Sequence, residues 1–389
     1  MYRIQTMNKI SPVGLNRFDA ALYEVGDEVQ DPQGILVRSA KLLDMEFNPS
    51  LLAIARAGVG VNNIPLDRCA AAGIPVFSTP GANANAVKEL VVCAMLMSSR
   101  DIPGAIRWVR EQAASGVEVA TVVEKGKSAF VGPELYKKTL GIIGLGAIGS
   151  IVANTAISLG MDVYGYDPFL SVDTALRLDR HVHVVKDIND LYKRADYVTL
   201  HIHYTGKTAH MIDADAIAAM KRGVRVINLA RGEIVDDEAI LAALDTGKVA
   251  VYVTDFPNNR LLTAPHVIAM PHLGASTPES EQNCAAMAVD ELTDYLENGN
   301  IRRSVNLPDM VMDRSGVERL CILHKNVPGM LANITSLFGR DGVNVENLSN
   351  KSRGEYAYTL VDLGTKVAER VIEDVQHMAN VIRVRVLEW

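Results

Sequence analysis

The stretch Lys138–Pro168, KTLGIIGLGAIGSIVANTAISLGMDVYGYDP, leaves this chain few folds to choose from. A short β-rich run, Thr139 to Ile143, feeds Gly144-Leu145-Gly146-Ala147-Ile148-Gly149, which opens an apolar segment of helical period. A second β-run, Asp162 to Tyr166, ends at Asp167. The order strand, glycine turn, helix, strand, acid, with the acid about 20 residues on, is a dinucleotide-binding pattern. In it Gly144 makes the tight turn, Gly146 lets a pyrophosphate approach the backbone, and Gly149 lets helix and strand pack closely. The helix N-terminus offers unpaired N–H groups and the positive end of its dipole. Asp167 favours NAD over NADP, because a carboxylate accepts from a ribose 2′-hydroxyl and repels a 2′-phosphate.

With 389 residues the chain has room for two or three domains. A net charge of −7 argues against nucleic acid as a partner. Charge or glycine interrupts every apolar run well short of a membrane span, and MYRIQTMNKI shows no signal-peptide pattern. Cys69, Cys93, Cys284 and Cys321 are scattered without CxxC or Cys/His spacing. Neither disulfides nor a metal site is therefore expected, and the thiols read as reduced side chains of a cytoplasmic protein.

Elsewhere the chain alternates strand candidates with helical segments, the mark of parallel α/β units. Gly34 to Val37, Leu52 to Ala55 and Ile74 to Phe77 are strand candidates. The first two end in loops that carry Arg38 and Arg56, and ligands of parallel sheets sit at such carboxyl ends. Two guanidinium groups in equivalent loops point to an anion. Further strands are expected at Tyr197–His201, Val224–Asn228, Val249–Val253 and Val267–Met270, and Arg231, Asp255 and His272 gather at their ends. A helix is expected over Thr277–Asn298. Residues 299–316 lose periodicity and read as a linker, and 317–389 gives the order βαββαβ, a ferredoxin-like sandwich with its own core. The expected domains are 1–92 with 276–300 for substrate, 93–275 for the nucleotide, and 317–389.

VRSAKLL (37–43), RAGVGVNNI (56–64), GIIGLGAIGS (141–150), INLARGEIVDDEAI (227–240), PHLGAST (271–277) and HKNVPGMLANIT (324–335) together cover nearly the whole chain. In these segments it resembles the D-isomer specific 2-hydroxyacid dehydrogenases, and among them the short, phosphoglycerate-oxidising form that ends in an ACT domain. The resemblance implies a Rossmann-type doubly wound nucleotide domain inserted in a flavodoxin-like substrate domain, with the ACT module as the tail. It implies NAD-dependent oxidation of 3-phosphoglycerate to 3-phosphohydroxypyruvate, the first step of L-serine synthesis, by a homodimer or homotetramer. His272 would be the base and Arg231 the carboxylate clamp. NAD would lie against Gly144, Gly146, Ala147, Ile148, Gly149 and Asp167. It would also meet His201, Leu229, Ala230, Arg231, Asp255, His272, Gly274 and Ala275. Substrate would meet Arg38, Ser39, Arg56, Gly58 and Asn83, and L-serine, as inhibitor, His324, Asn326 and Asn344.

The family pairs its histidine with a glutamate four or five residues after the equivalent of Asp255. TDFPNNRLL (254–262) puts Asn259 or Arg260 there, neither an acid. Asn259 could still orient His272 while stabilising the imidazolium less, and only a raised basicity of His272 in the pH profile of oxidation would mean that another acid, Asp255 or Glu279, has taken the role. His203, where the family usually has proline, reads as a partly exposed loop residue. Two other functions fit the same pattern: a glyoxylate or hydroxypyruvate reductase, against which Arg38 and the ACT tail argue, and an NAD-sensing binding protein without turnover.

Overall fold

The computed structural model describes residues 1–389, and its strands form three sheets. The first is parallel, from β1 (Tyr2–Thr6), β2 (Tyr23–Gly26), β3 (Gly34–Val37), β4 (Ala53–Arg56) and β5 (Val76–Phe77). Its order is β2-β1-β3-β4-β5, as in flavodoxin-like sheets. Every residue of β3 is buried, which is why that strand reads as an unbroken apolar run. The sequence gives no such signal for β1, YRIQT, where only Ile4 is buried.

The second sheet, also parallel, contains β6 (Thr139–Ile143), β7 (Asp162–Tyr166), β8 (Val182–Val185), β9 (Tyr197–Leu200), β10 (Val224–Asn228), β11 (Val249–Thr254) and β12 (Val267–Ala269). The order β8-β7-β6-β9-β10-β11-β12 is the doubly wound Rossmann arrangement extended by one strand. Its strand order reverses between β6 and β9. The helix Ala84–Ser99 packs Val87, Val91, Ala94 and Met95 into a core with Leu140, Ile142 and Tyr197, so the compact unit holding this sheet starts at Asn83 and runs to Ser280. It thus begins ahead of residue 93, where sequence placed the boundary.

The other compact unit joins Met1–Ala82 to Glu281–Trp389. It carries the third sheet, antiparallel, from β13 (Glu318–Lys325), β14 (Val345–Arg353), β15 (Tyr356–Leu363) and β16 (Val381–Glu388), in the order β14-β15-β13-β16. With the helices Met330–Arg340 and Glu369–Gln376 this is the expected ferredoxin-like βαββαβ module. One face of the sheet packs on those helices through Leu320, Ile322, Phe338 and Val361. The other face, with Cys321, Leu323, Tyr358 and Leu387, shares a core with Phe77, Tyr295 and Ile301 of the first domain. The module is therefore seated on that domain and not merely tethered to it.

Residues 299–316 are correspondingly no free linker. Ile301, Leu307 and Met310 are buried, and the Val305 N–H donates to Val76 at 2.9 Å. Arginines of the module grip main-chain carbonyls around this strap: Arg319 those of Asn298, Met312 and Asp313, Arg353 that of Ser304, and Arg385 those of Tyr295 and Leu296. Arg319 is itself fixed by a fully buried, two-pronged pair with Asp362, at 2.5 and 2.7 Å. No helix is long and apolar enough to cross a membrane.

Candidate active site

Within the Asn83–Ser280 unit, the glycine loop lies where strand order reverses, the usual ligand position in such sheets. Gly144 has φ +92°, and a Cβ there would sit 2.4 Å from the His201 carbonyl oxygen at the end of β9. A Cβ on Gly149 would sit 1.8 Å from the Gly144 carbonyl oxygen. Both glycines are thus required by the protein's own packing. At Gly146 the opposite holds, since a Cβ would meet nothing within 4 Å. Open space before the N-terminus of the twelve-residue helix Ala147–Ser158 is what an approaching phosphate needs. Asp167 takes the N–H groups of Leu145 (2.9 Å) and Phe169 (2.8 Å), which fixes the acid beside the loop and leaves its carboxylate further lone pairs for a ribose. Burial lowers the His201 pKa to about 4, so its ring is neutral, and it bonds Thr199 Oγ1 at 3.1 Å.

At the end of β10, buried Asn228 shapes the loop that carries Leu229, Ala230 and Arg231. Its amide donates to the Arg231 carbonyl (2.8 Å) and its oxygen accepts from the Ala230 N–H (3.2 Å). Phe256, which sequence did not single out, is the common platform. The Arg231 guanidinium lies 5.6 Å from its ring centroid, and the His272 ring packs on it at 4.6 Å. Its only sequence signal is its position next to Asp255. Both polar groups are exposed above it, beside a cavity of ≈ 920 Å³ that Asp255 and His272 help to line.

Asp255 is 1% exposed. One oxygen accepts from the Gly274 N–H at 3.3 Å, while Oδ1 has no hydrogen-bond partner. Burial pushes its carboxyl above the usual range, opposed in part by the charge of His272. Asn83 Oδ1 is likewise buried and unpartnered, and Ala275 lies half-buried in the His272 loop. An orphaned acceptor on Asp255 and an open cradle at Gly146 fit a nicotinamide dinucleotide, whose carboxamide donates and whose pyrophosphate needs bare backbone.

The two residues at the place of the absent glutamate do not partner His272. Asn259 opens the helix Asn259–Thr263, and Arg260 pairs with Glu238 at 3.3 Å; neither bonds to His272. Glu279 is exposed, and the charge of His272 acts on the buried Asp255 carboxyl. His203 is an exposed loop residue.

In the other unit, Arg38 and Ser39 follow β3 while Arg56 ends β4 and Gly58 follows it. The N–H groups of Arg38, Ser39 and Ala40 converge on Asn8 Oδ1 (3.3, 2.9 and 2.7 Å), and the Arg56 Nε donates to the Arg38 carbonyl at 3.1 Å. Asn8 follows β1, so this cluster sits where that sheet's order reverses, between β1 and β3. In the tail, His324 is not open to a ligand. It is buried with both ring nitrogens engaged, by the Lys325 carbonyl (2.8 Å) and by Thr359 Oγ1 (2.9 Å). Asn326 and Asn344 lie at opposite ends of β15: the Asn326 N–H donates to the Glu355 carbonyl (2.9 Å), whereas the Asn344 carbonyl accepts from the Gly364 N–H (3.1 Å).

Residues 92–274 match the model described as D-isomer specific 2-hydroxyacid dehydrogenase, NAD binding domain, and 320–383 match the AHAS small subunit-like ACT domain. A D-3-phosphoglycerate dehydrogenase from Methanocaldococcus jannaschii is 35% identical over 75% of this chain and 55% of its own length. One from Haemophilus influenzae is 32% identical over 94% of this chain and 88% of its own. The NAD⁺-bound 3-phosphoglycerate dehydrogenase structure from Entamoeba histolytica superposes with a TM-score of 0.59 at 25% identity, covering 78% of this chain and 98% of that one. The chain spans 51–60% of the length of the relatives from M. jannaschii, Synechocystis and Bacillus subtilis.

Proposed function

We propose a reaction from one premise: the chain belongs to the D-isomer specific 2-hydroxyacid dehydrogenase family. The reaction is oxidation of 3-phospho-D-glycerate to 3-phosphohydroxypyruvate with NAD, the first step of L-serine synthesis. The observation that carries it is the seating of Arg231 and His272 on Phe256, beside the unpartnered Asp255 oxygen.

Bound NAD⁺ supplies the hydride acceptor, the nicotinamide ring. Arg231 holds the substrate carboxylate and polarises the C2 oxygen as it becomes a carbonyl. The His272 imidazole takes the hydroxyl proton, an exchange suited to neutral pH. Asp255 accepts from the carboxamide and stabilises the imidazolium that forms. Arg38, Ser39, Arg56, Gly58 and Asn83 receive the phosphate end and the backbone of the substrate.

Two finer readings accompany this. The helix Ile102–Ala114 buries none of its residues yet exposes Ile102, Ile106 and Val109 on one stripe, a surface suited to a second copy of the chain and hence to a homodimer or homotetramer. L-serine, the expected effector, would bind between two tails, Asn326 of one facing Asn344 of another. One chain alone holds these too far apart for so small a ligand.

NADH absorbance with 3-phosphoglycerate, compared with unphosphorylated glycerate, tests the reaction. We expect turnover of the phosphorylated acid with a clear preference over glycerate. Turnover confined to glyoxylate or hydroxypyruvate would make the protein a reductase of those acids. NAD binding without turnover would favour the sensing protein, the reading to which the missing acid at Asn259 lends weight.

A further inference from the structure

Arg38 does not wait empty for an anion. Its Nη2 lies 2.5 Å from Glu281 Oε1 on the helix Pro278–Asn298, with both side chains a little under half exposed. The arginine's backbone is meanwhile held fast, three successive N–H groups converging on Asn8 and its carbonyl taken by Arg56. A guanidinium borne on a fixed main chain at a strand-order reversal is thus paired with a half-exposed carboxylate of the protein's own. We propose that Glu281 is an internal competitor for the substrate's anionic end. It holds Arg38 in the free protein and yields only to a group more highly charged than itself.

The proposal rests on the reading that Arg38 meets the phosphate end. An exposed ion pair is weak, so displacing Glu281 costs little. The freed carboxylate sits in the first turn of its helix, where the dipole and water both stabilise it. A neutral substrate end gains nothing by displacing Glu281. A single carboxylate exchanges one like pair for another and gains about nothing. A phosphate dianion brings more charge and three acceptor oxygens, and so wins the exchange. Glu281 therefore acts through Arg38 as a specificity filter and takes no part in the chemical step.

The test uses the whole protein in four forms: wild type, Glu281→Gln, Arg38→Gln and the double variant. Binding of inorganic phosphate is read by calorimetry, and KM and kcat for 3-phosphoglycerate and glycerate by NADH formation. Glu281→Gln is expected to tighten phosphate and lower the KM for 3-phosphoglycerate by about twofold to fivefold. The change falls on KM and not on kcat, leaves the KM for glycerate alone, and disappears in the Arg38→Gln background. If Arg38→Gln weakens phosphate while Glu281→Gln leaves it unaltered, Arg38 keeps its role and the competitor is refuted. If Arg38→Gln leaves phosphate affinity intact, the assignment of Arg38 falls, and this proposal with it.

Discussion

Two glycines three positions apart make opposite demands on a methyl group. At Gly149 an added Cβ strikes the Gly144 carbonyl, so Gly149→Ala is expected to destabilise the protein by about 1–3 kcal/mol, visible as a lower melting temperature. At Gly146 an added Cβ enters open space, and Gly146→Ala should melt as the wild type does while losing NAD affinity by tenfold or more, about 1.4 kcal/mol. Equal loss of stability in both variants would mean that Gly146 serves packing and not a phosphate. Sequence made these glycines legible because their roles are local, set by a turn and the helix it opens. It pointed to Arg231, Asp255 and His272 through their positions at strand ends. Phe256 was not legible, because a ring becomes a platform only when β10, β11 and the His272 loop meet around it. The setting of His324 was not legible for a related reason: burial beside Thr359 engages both its nitrogens within the chain.

The helix Pro278–Asn298 was legible from its start signal and apolar face, and it carries an acid whose protonation no pattern reveals. Glu291 is 3% exposed, and burial pushes its carboxyl up to about 8, a rise that Arg303 at 3.1 Å only partly opposes. The unfolded chain releases this proton near the ordinary value of 4.5 and the folded chain holds it to about 8. Folding therefore takes up a proton in that window. This group's contribution to stability is greatest below pH 4.5 and is lost as pH rises through 8. Glu291→Gln mimics the protonated acid, so it should raise the melting temperature at pH 9 and change it little at pH 4.5. Thermal scans at the two pH values check this, and a loss of stability at pH 9 would show that the charged pair with Arg303 outweighs the burial. Short strands at a sheet edge were among the elements sequence left out. Edge strand β8, VHVV, has no fully buried residue and leans on Tyr164 through His183 at 4.8 Å.

At the scale of the molecule, the ferredoxin-like module is part of the Met1–Ala82 and Glu281–Trp389 unit, not an appendage to it. Removing 317–389 would uncover Phe77, Tyr295, Ile301 and Met310, and the shortened chain is expected to aggregate or melt far below the full one. Asp362→Asn leaves Arg319 buried without its counter-charge and should cost about 3–5 kcal/mol, read by denaturant unfolding of the full chain. A module that merely hangs from a linker would tolerate both changes. Residues 299–316 gave no hint of this in sequence because their burial comes from partners distant in the chain, and a strap crossed by arginines needs no periodicity of its own.

Those arginines address carbonyl oxygens, which every residue type possesses. The grip on Asp313 thus does not depend on that exposed residue's side chain, whereas Leu296 and Ser304 are held by buried side chains of their own as well. Inheritance at this interface is consequently double: the arginines and the Asp362 behind Arg319 must be kept, and so must the apolar side chains of the shared core.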